Sequence, residues 1–430
     1  MSEPLKIAIA GLGTVGAGAI ELLSKQAELL DLRAGRRLQI SAVSARNRGR
    51  NRGVDLSPFD WHDDAVGMAR EADVDVVVEL IGGSDGAAKA VCEAAIGAGR
   101  HVVTANKAML AMHGTGLAIK AEAAGVTLAF EAAVAGGIPV IRALRDGLAG
   151  NRISRLHGIL NGTCNYILSN MRSTGRGFAE VLDEAQSLGY AEADPSFDID
   201  GIDSAHKLAL LSAVAFGSHV DFDGVYTEGI RKITPSDIQF AEELGYRIKL
   251  LGIAERVDDG IHQRVHPAMV PADAPIAAVE GVFNGIVAEG DFVGTTVLEG
   301  RGAGAGPTAS AVVGDLVDIA RGRTAPTFGI PATSLRAIVS LPMDRHVGAY
   351  YVRLMVIDKP GVFADIATTL RDAEISLESV LQRSRAPMEV VPVILTVHET
   401  SEASMRKALA GIEAIEAVRE PPLMIRIERG

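Results

Sequence analysis

The sequence predicts an α/β chain built in three parts, and three observations predict it. Short apolar runs alternate with amphipathic stretches over the first 140 residues, strand-like runs gather in the middle, and the end reads strand–helix–strand–strand–helix–strand. A length of 430 residues suits two or three domains at about 150 residues each. The expected divisions are residues 1–140, completed by a helix over 307–322; an α+β body over 141–306; a linker over 323–348; and a terminal unit over 349–430.

Leu5–Ala10 reads as a buried strand, Gly11-Leu12-Gly13-Thr14-Val15-Gly16 follows at once, and apolar periodicity resumes as a helix over Ala17–Leu30. Strand, GxGxxG and helix in that order mark a Rossmann-type parallel sheet that binds a dinucleotide. Gly11 permits the turn, Gly13 lets pyrophosphate approach, and Gly16 lets helix pack on strand, with Thr14 and Val15 at the helix start. The second strand, Leu38–Ser44, ends at Ala45-Arg46, with no acid for a ribose 2′-hydroxyl. Arg46, followed by Arg48, Arg50 and Arg52, suits a 2′-phosphate, so NADP is favoured and NAD remains open; a solvated basic loop is the plainer reading. Further strands over Val74–Leu80, His101–Thr104 and Val126–Ala132 end in Gly82, in Thr104 with Lys107 beyond it, and in Gly136, at the edge where open parallel sheets bind ligands.

After residue 140 the alternation stops. Ile153–Leu160 reads as a strand, and Asn161 onward as a helix. Arg247–Arg256, His262–Val270, Val279–Glu289 and Phe292–Glu299 read as one antiparallel or mixed sheet with helices on one face. Four glycines (Gly300, Gly302, Gly304, Gly306) then precede a helix over Thr308–Arg321, where backbone can cradle an anion or approach a nicotinamide. Between them lies the most chemical stretch, Gly189–Lys207. Five carboxylates (Glu192, Asp194, Asp198, Asp200, Asp203) fall within twelve residues, ahead of a helix that stops at Gly217. Asp200 or Asp203 is expected to cap that helix. Asp203 and Lys207 share a face four residues apart, so an ammonium among carboxylates can hold and donate a proton. Alone, this spacing is more often an ordinary surface ion pair.

Composition narrows the class. A net charge of -12 argues against nucleic acid, and no apolar run nears the roughly 18 residues of a membrane span. The apolar stretch at the N-terminus is too short for a secretory signal. Two cysteines, Cys92 and Cys164, form neither a disulfide framework nor a metal site, so a reducing cytoplasm is the expected setting. The last part, strand Tyr351–Ile357, helix Val362–Asp372, strands Ser376–Arg383 and Glu389–His398, helix Glu402–Ile412 and strand Leu423–Glu428, is a ferredoxin-like βαββαβ unit, expected to stand apart.

Taken together, GLGTVG, TANK at 104–107, GILNGTCNYIL at 158–168, the 189–207 stretch and GRGAGAGPTASAVVGD at 300–315 resemble homoserine dehydrogenases that carry a C-terminal ACT domain. The resemblance implies reversible NAD(P)-dependent conversion of aspartate 4-semialdehyde to homoserine, within threonine, methionine and isoleucine biosynthesis. Carried over, Lys207 is similar to the proton donor, Asp203, Glu192 and Gly189 to substrate-binding positions, and Lys107 to a lysine near nicotinamide and substrate. It also implies a monovalent cation, sodium, held by Glu131, Val134, Gly136 and Ile138. The ACT resemblance rests on Asp358-Lys359-Pro360-Gly361 and IATTLRDAEISLESVLQ; it implies pairing into a homodimer or homotetramer and threonine as effector, although Ala373-Glu374-Ile375-Ser376 lacks the asparagine common in such domains. Other readings are a reductase of another small aldehyde or keto acid, and a non-catalytic amino-acid sensor.

Overall fold

Helices cover both faces of the first sheet, which is why its strands are apolar on both sides. The computed structural model describes residues 3–258, 260–383 and 386–428. β1 (Leu5–Ala10) leads to α1 (Thr14–Lys25), α2 (Ala27–Ala34), β2 (Leu38–Ser44), β3 (Asp60–His62), α3 (Ala65–Glu71) and β4 (Val76–Glu79). Then come α4 (Ala87–Gly97), β5 (His101–Thr104), α5 (Lys107–Ala123) and β6 (Leu128–Ala129). All pairs are parallel, in the order β3-β2-β1-β4-β5-β6. The order reverses beside β1, so the carboxyl ends of β1 and β4 flank a crevice. Two expected elements are shorter. The helix read over 17–30 breaks at Gln26, and its second half ends at Gly35 in the left-handed region, φ 76°. The strand read over 126–132 keeps only Leu128–Ala129, because Glu131 N donates to Asp315 at 3.0 Å and the chain tightens into a 3-10 turn.

The second sheet begins after α6 (Val140–Arg142) with β7 (Ile153–Ile159). It continues through α7 (Gly162–Thr174), α8 (Phe178–Ser187), α9 (Ser196–Ile199), α10 (Ile202–Phe216), β8 (Tyr226–Thr227) and α11 (Pro235–Glu243). Two antiparallel hairpins follow, β9 (Tyr246–Val257) with β10 (Gly260–Pro271), and β11 (Phe283–Gly290) with β12 (Gly294–Arg301). The strand expected from Val279 starts at Phe283 instead, because the Val279 carbonyl accepts from the buried Lys249 Nζ at 2.6 Å. That expected over 292–299 is shifted to 294–301, since Gly294 turns the hairpin at φ 71° and leaves Phe292 outside it. α12 (Ala305–Ala320) crosses back to the first sheet, where Val312 and Leu316 share a core with Ile7, Ile9 and Val78.

The C-terminal part holds β13 (Val339–Ser340), β14 (Val347–Ile357), α13 (Val362–Asp372), β15 (Leu377–Leu381), β16 (Val390–Ser401), α14 (Glu402–Glu413) and β17 (Leu423–Ile427). Its strands lie in the order β17-β14-β16-β15, that of a split βαβ unit. The unit keeps a core of its own, with Tyr350, Val352 and Leu354 packed with Ile366 and Met405, yet it is joined edge to edge to the second sheet. β17 pairs in parallel with β10 (Ala268↔Arg426, Met269↔Ile427), and the result is one 11-stranded sheet. Buried charges close the seam. Glu428 binds Arg264 and Arg155, while Arg426 binds Glu402 and, at 2.9 Å, Glu228. Tyr351 and Arg353 of β14 both donate to Asp237 of α11, at 3.0 and 2.8 Å. Burial works against the Glu428 charge, but Arg264, His266 and Arg155 hold its carboxyl well below the ordinary range.

Candidate active site

α10 starts at Gly201 in the left-handed region, φ 86°, with no side chain capping it. The expected cap by Asp200 or Asp203 is therefore corrected: Asp200 turns outward to Arg231, at 2.9 Å, and Asp203 turns inward to serve two lysines. Lys207 Nζ donates to Asp203 Oδ2 at 2.7 Å and to the Leu160 carbonyl at 2.7 Å. Lys107, first residue of α5, reaches Asp203 Oδ1 at 3.1 Å. Asn161 closes the group. It caps α7 through Cys164 N, and its Nδ2 donates to both Asp203 and Asp198 at 2.8 Å.

Burial favours the neutral form of Asp203, but Lys207 and Lys107 outweigh it, helped by the Lys207 and Asn161 hydrogen bonds, so its carboxyl lies far below the usual carboxylate range. Asp198 moves the other way, raised by burial and by the Asp203 charge beside it. One carboxylate is fixed as an anion and its neighbour is made easier to protonate.

These groups line a cleft of about 620 Å³ between the two sheets, with Val15 and Ala105 of the first domain on its wall. Gly189, at φ 75°, and Glu192 border the same cleft. Only the Glu192 carbonyl is engaged, by Gln186 at 2.8 Å; its carboxylate has no ion pair among the described residues.

The glycine loop is shaped for a ligand. A Cβ on Gly11 would lie 2.5 Å from the Leu80 carbonyl carbon and one on Gly16 2.1 Å from Gly11 O, whereas one on Gly13 would meet nothing within 4 Å. The space above Gly13 thus fits a pyrophosphate, with the exposed Thr14 and half-buried Val15 opening α1 behind it. Gly82 (φ 88°) turns the end of β4, Gly304 (φ 118°) precedes α12, and Gly306 lies in its first turn. Thr104 is fully buried and its hydroxyl donates to Glu79 at 2.6 Å, so its side chain braces the strand ends and does not face a ligand. Arg46 is exposed just past β2; Arg52 instead reaches the Leu12 carbonyl at 3.1 Å, and Arg48 and Arg52 lie over Trp61.

Both Glu131 oxygens cap α6, accepting from Ile141 N at 2.8 Å and Arg142 N at 2.9 Å. The adjoining loop holds Ala135 (φ 54°) and Gly136 (φ 36°) in the left-handed region, with Val134 and Ile138 buried on either side. The Ile138 carbonyl already accepts from Val140 N at 2.7 Å. Among the described residues no group of three His, Cys, Asp or Glu is placed to hold a metal.

Asn161 and Glu79 carry no role in the sequence reading, and Asp198 enters it only as one of five clustered carboxylates. For Asn161 the signal was present, an Asn-Gly-Thr at a strand-to-helix switch, where asparagine caps. Glu79 accepts from Ile81 N at 2.7 Å and shapes the Gly82 turn, which no linear pattern announces.

A doubly wound nucleotide-type sheet facing a lysine–carboxylate cleft defines a nicotinamide-dependent oxidoreductase acting on a CH–OH group. Residues 11–131 match the family model "Homoserine dehydrogenase, NAD binding domain", residues 139–317 "Homoserine dehydrogenase" and residues 350–414 "ACT domain". The chain is 47% identical to a homoserine dehydrogenase of Pseudomonas aeruginosa and 45% identical to one of Neisseria gonorrhoeae, covering 99% of both chains in each case. It is similar to the crystal structure of a homoserine dehydrogenase from Thiobacillus denitrificans, with TM-score 0.94 and 46% identity over 99% of each chain. A hyperthermophilic archaeal homoserine dehydrogenase in complex with NADPH matches with TM-score 0.65 and 26% identity, over 76% of this chain and all of that one. The chain belongs to the homoserine dehydrogenase family.

Proposed function

We propose that this chain interconverts L-homoserine and L-aspartate 4-semialdehyde with NADP(H). The observation that carries this is the Lys107–Asp203–Lys207 group in a cleft that the glycine loop also borders. When bound, the nicotinamide supplies a hydride in one direction and accepts it in the other. Lys207, anchored by Asp203 and the Leu160 carbonyl, gives a proton to the aldehyde oxygen as charge builds there, and takes it back in oxidation. Lys107 adds a second positive charge, and Asp203 keeps both ammonium groups in register. Glu192 and Asp198 receive the substrate ammonium, with Gly189 giving the backbone access beside them.

The NADP preference rests on Arg46 at the end of β2, and the archaeal relative's NADPH complex supports it. Glu131, Val134, Gly136 and Ile138 hold a sodium ion with a structural role. The division into a nucleotide domain, a catalytic body and a regulatory unit at about residues 140 and 349 follows the same reading, as do a cytoplasmic setting and assembly into dimers or tetramers; among the described residues no helix is long and apolar enough to cross a membrane. Threonine binds the ACT unit. In the absence of the expected asparagine, Glu374 takes the left-handed position, φ 59°, that asparagine tolerates better.

The test is to incubate purified protein with L-homoserine and NADP+ and follow absorbance at the reduced-nicotinamide band. Growth of that band, lost in Lys207→Ala, supports the reaction; silence from the unaltered protein refutes it. Titration with threonine, following activity and melting temperature, separates a regulatory ACT unit from a merely structural one.

A further inference from the structure

Resting on the reaction just proposed, we infer that Arg301 recognises the α-carboxylate of the substrate and so selects amino-acid alcohols and aldehydes over the same chains without a carboxylate. The charge inventory of the cleft leads there. Asp198, Asp203 and Glu192 are its acids, and Lys107, Lys207 and Arg301 its bases. Both lysines are gathered on Asp203, at 3.1 and 2.7 Å, and in the reaction just proposed both serve the reacting oxygen. The acids can take an ammonium, but they repel a carboxylate brought to the same end. An amino acid therefore needs a free cation elsewhere on the wall.

Arg301 meets that need. It makes no hydrogen bond or ion pair through its side chain among the described residues, and its guanidinium lies over the Phe283 ring, 5.5 Å from the centroid. Its backbone is fixed at the end of β12 by pairing with Phe283 and by its carbonyl, which accepts from Gly137 N at 3.0 Å. Immediately after it, a Cβ on Gly302 would lie 2.2 Å from Asn284 Cγ, so the backbone next to Arg301 on the cleft wall is tightly packed. A guanidinium resting on a ring keeps its N–H edge free, and that planar fork matches a carboxylate with two parallel hydrogen bonds.

The test compares oxidation of L-homoserine with that of 3-aminopropan-1-ol, its counterpart without the carboxylate, by full-length protein, Arg301→Ala and Arg301→Lys. For Arg301→Ala, kcat/KM on homoserine falls about 10- to 100-fold, mainly through KM, while 3-aminopropan-1-ol and the KM for NADP+ are unchanged. Arg301→Lys lies between, because a point charge replaces the fork. Where turnover of the amino alcohol is too slow to measure, competitive inhibition gives the same answer: L-2-aminobutyrate weakens in Arg301→Ala and propan-1-amine does not. Equal loss on both substrates, unchanged use of homoserine, or a rise confined to the NADP+ KM, as a cofactor-phosphate contact gives, overturns the inference while the reaction stands. Unaltered protein that oxidises neither alcohol refutes the reaction and this inference with it.

Discussion

Arg264 of β10 and Glu428, just beyond β17, meet through Nη2 at 3.0 and 3.1 Å, although 164 residues separate them in sequence. The pair is buried, with Arg155 of β7 on the same carboxylate at 3.3 Å. Glu428→Gln takes the shared anion from two buried guanidinium groups, leaving Arg155 on Glu289 at 3.1 Å and Arg264 on Glu255 at 3.6 Å, and stability is expected to fall by about 3 kcal/mol. Replacing both partners, Arg264→Met with Glu428→Leu, recovers most of that loss, because the two charges leave together and Arg155 keeps Glu289 at 3.1 Å. Denaturant midpoints check both; an unshifted midpoint in Glu428→Gln defeats the argument.

Lys207→Ala is expected to lower turnover by at least ~100-fold, since it removes the proton donor. Its anchors, Asp203 of α10 and the Leu160 carbonyl just past β7, lie outside the glycine loop. Cofactor affinity, read by nicotinamide fluorescence, therefore stays within about twofold of the parent.

Glycine substitutions in the loop separate binding from folding. Gly13→Ala meets no protein atom within 4 Å, so the chain keeps its melting temperature and loses cofactor affinity. Gly16→Ala drives a methyl to 2.1 Å from the Gly11 carbonyl and lowers both. Similar melting temperatures for the two variants contradict this assignment.

The seam also sets a pH dependence. Burial, and for both a neighbouring arginine, push His157 and His346 down to about 3, and His266 beside Glu428 is lowered as well. Their folded values lie below the unfolded value of 6.5, so the stability they lend is complete above pH 6.5 and drains away as pH falls toward 3. Glu428, also depressed, adds to the loss below the ordinary carboxyl value of 4.5. Melting temperature is expected to decline across this range, and less steeply in His157→Gln. A flat profile from pH 6.5 to 4 contradicts it.

Much of this architecture is legible in the sequence alone. The glycine loop, the strand ends and the Asp203–Lys207 face follow from short-range rules, in which spacing alone fixes who sits beside whom. The cap of α10 is not legible there, because local propensity favours an acidic cap, while tertiary demand turns Asp203 toward Lys107, a residue 96 positions earlier. Lys107 meeting Asp203, and β17 joining β10, are long-range pairings that no periodicity encodes. The brevity of β6 has the same origin, since the partner that bends the chain there is Asp315, 184 residues downstream.

Because the backbone ladder runs from β10 into β17, the ACT unit cannot be trimmed off or exchanged as a free-standing module. A truncation before Leu423 leaves Ala268 and Met269 without their β17 neighbours and takes from Arg264 its nearer counter-ion, Glu428. The product carries a raw strand edge that invites other chains to add on, so clumping of such a fragment reports lost covering and says nothing about lost regulation. Grafts between relatives hold together only when Arg426 and Glu428 travel with the donor and find their equivalents in the host.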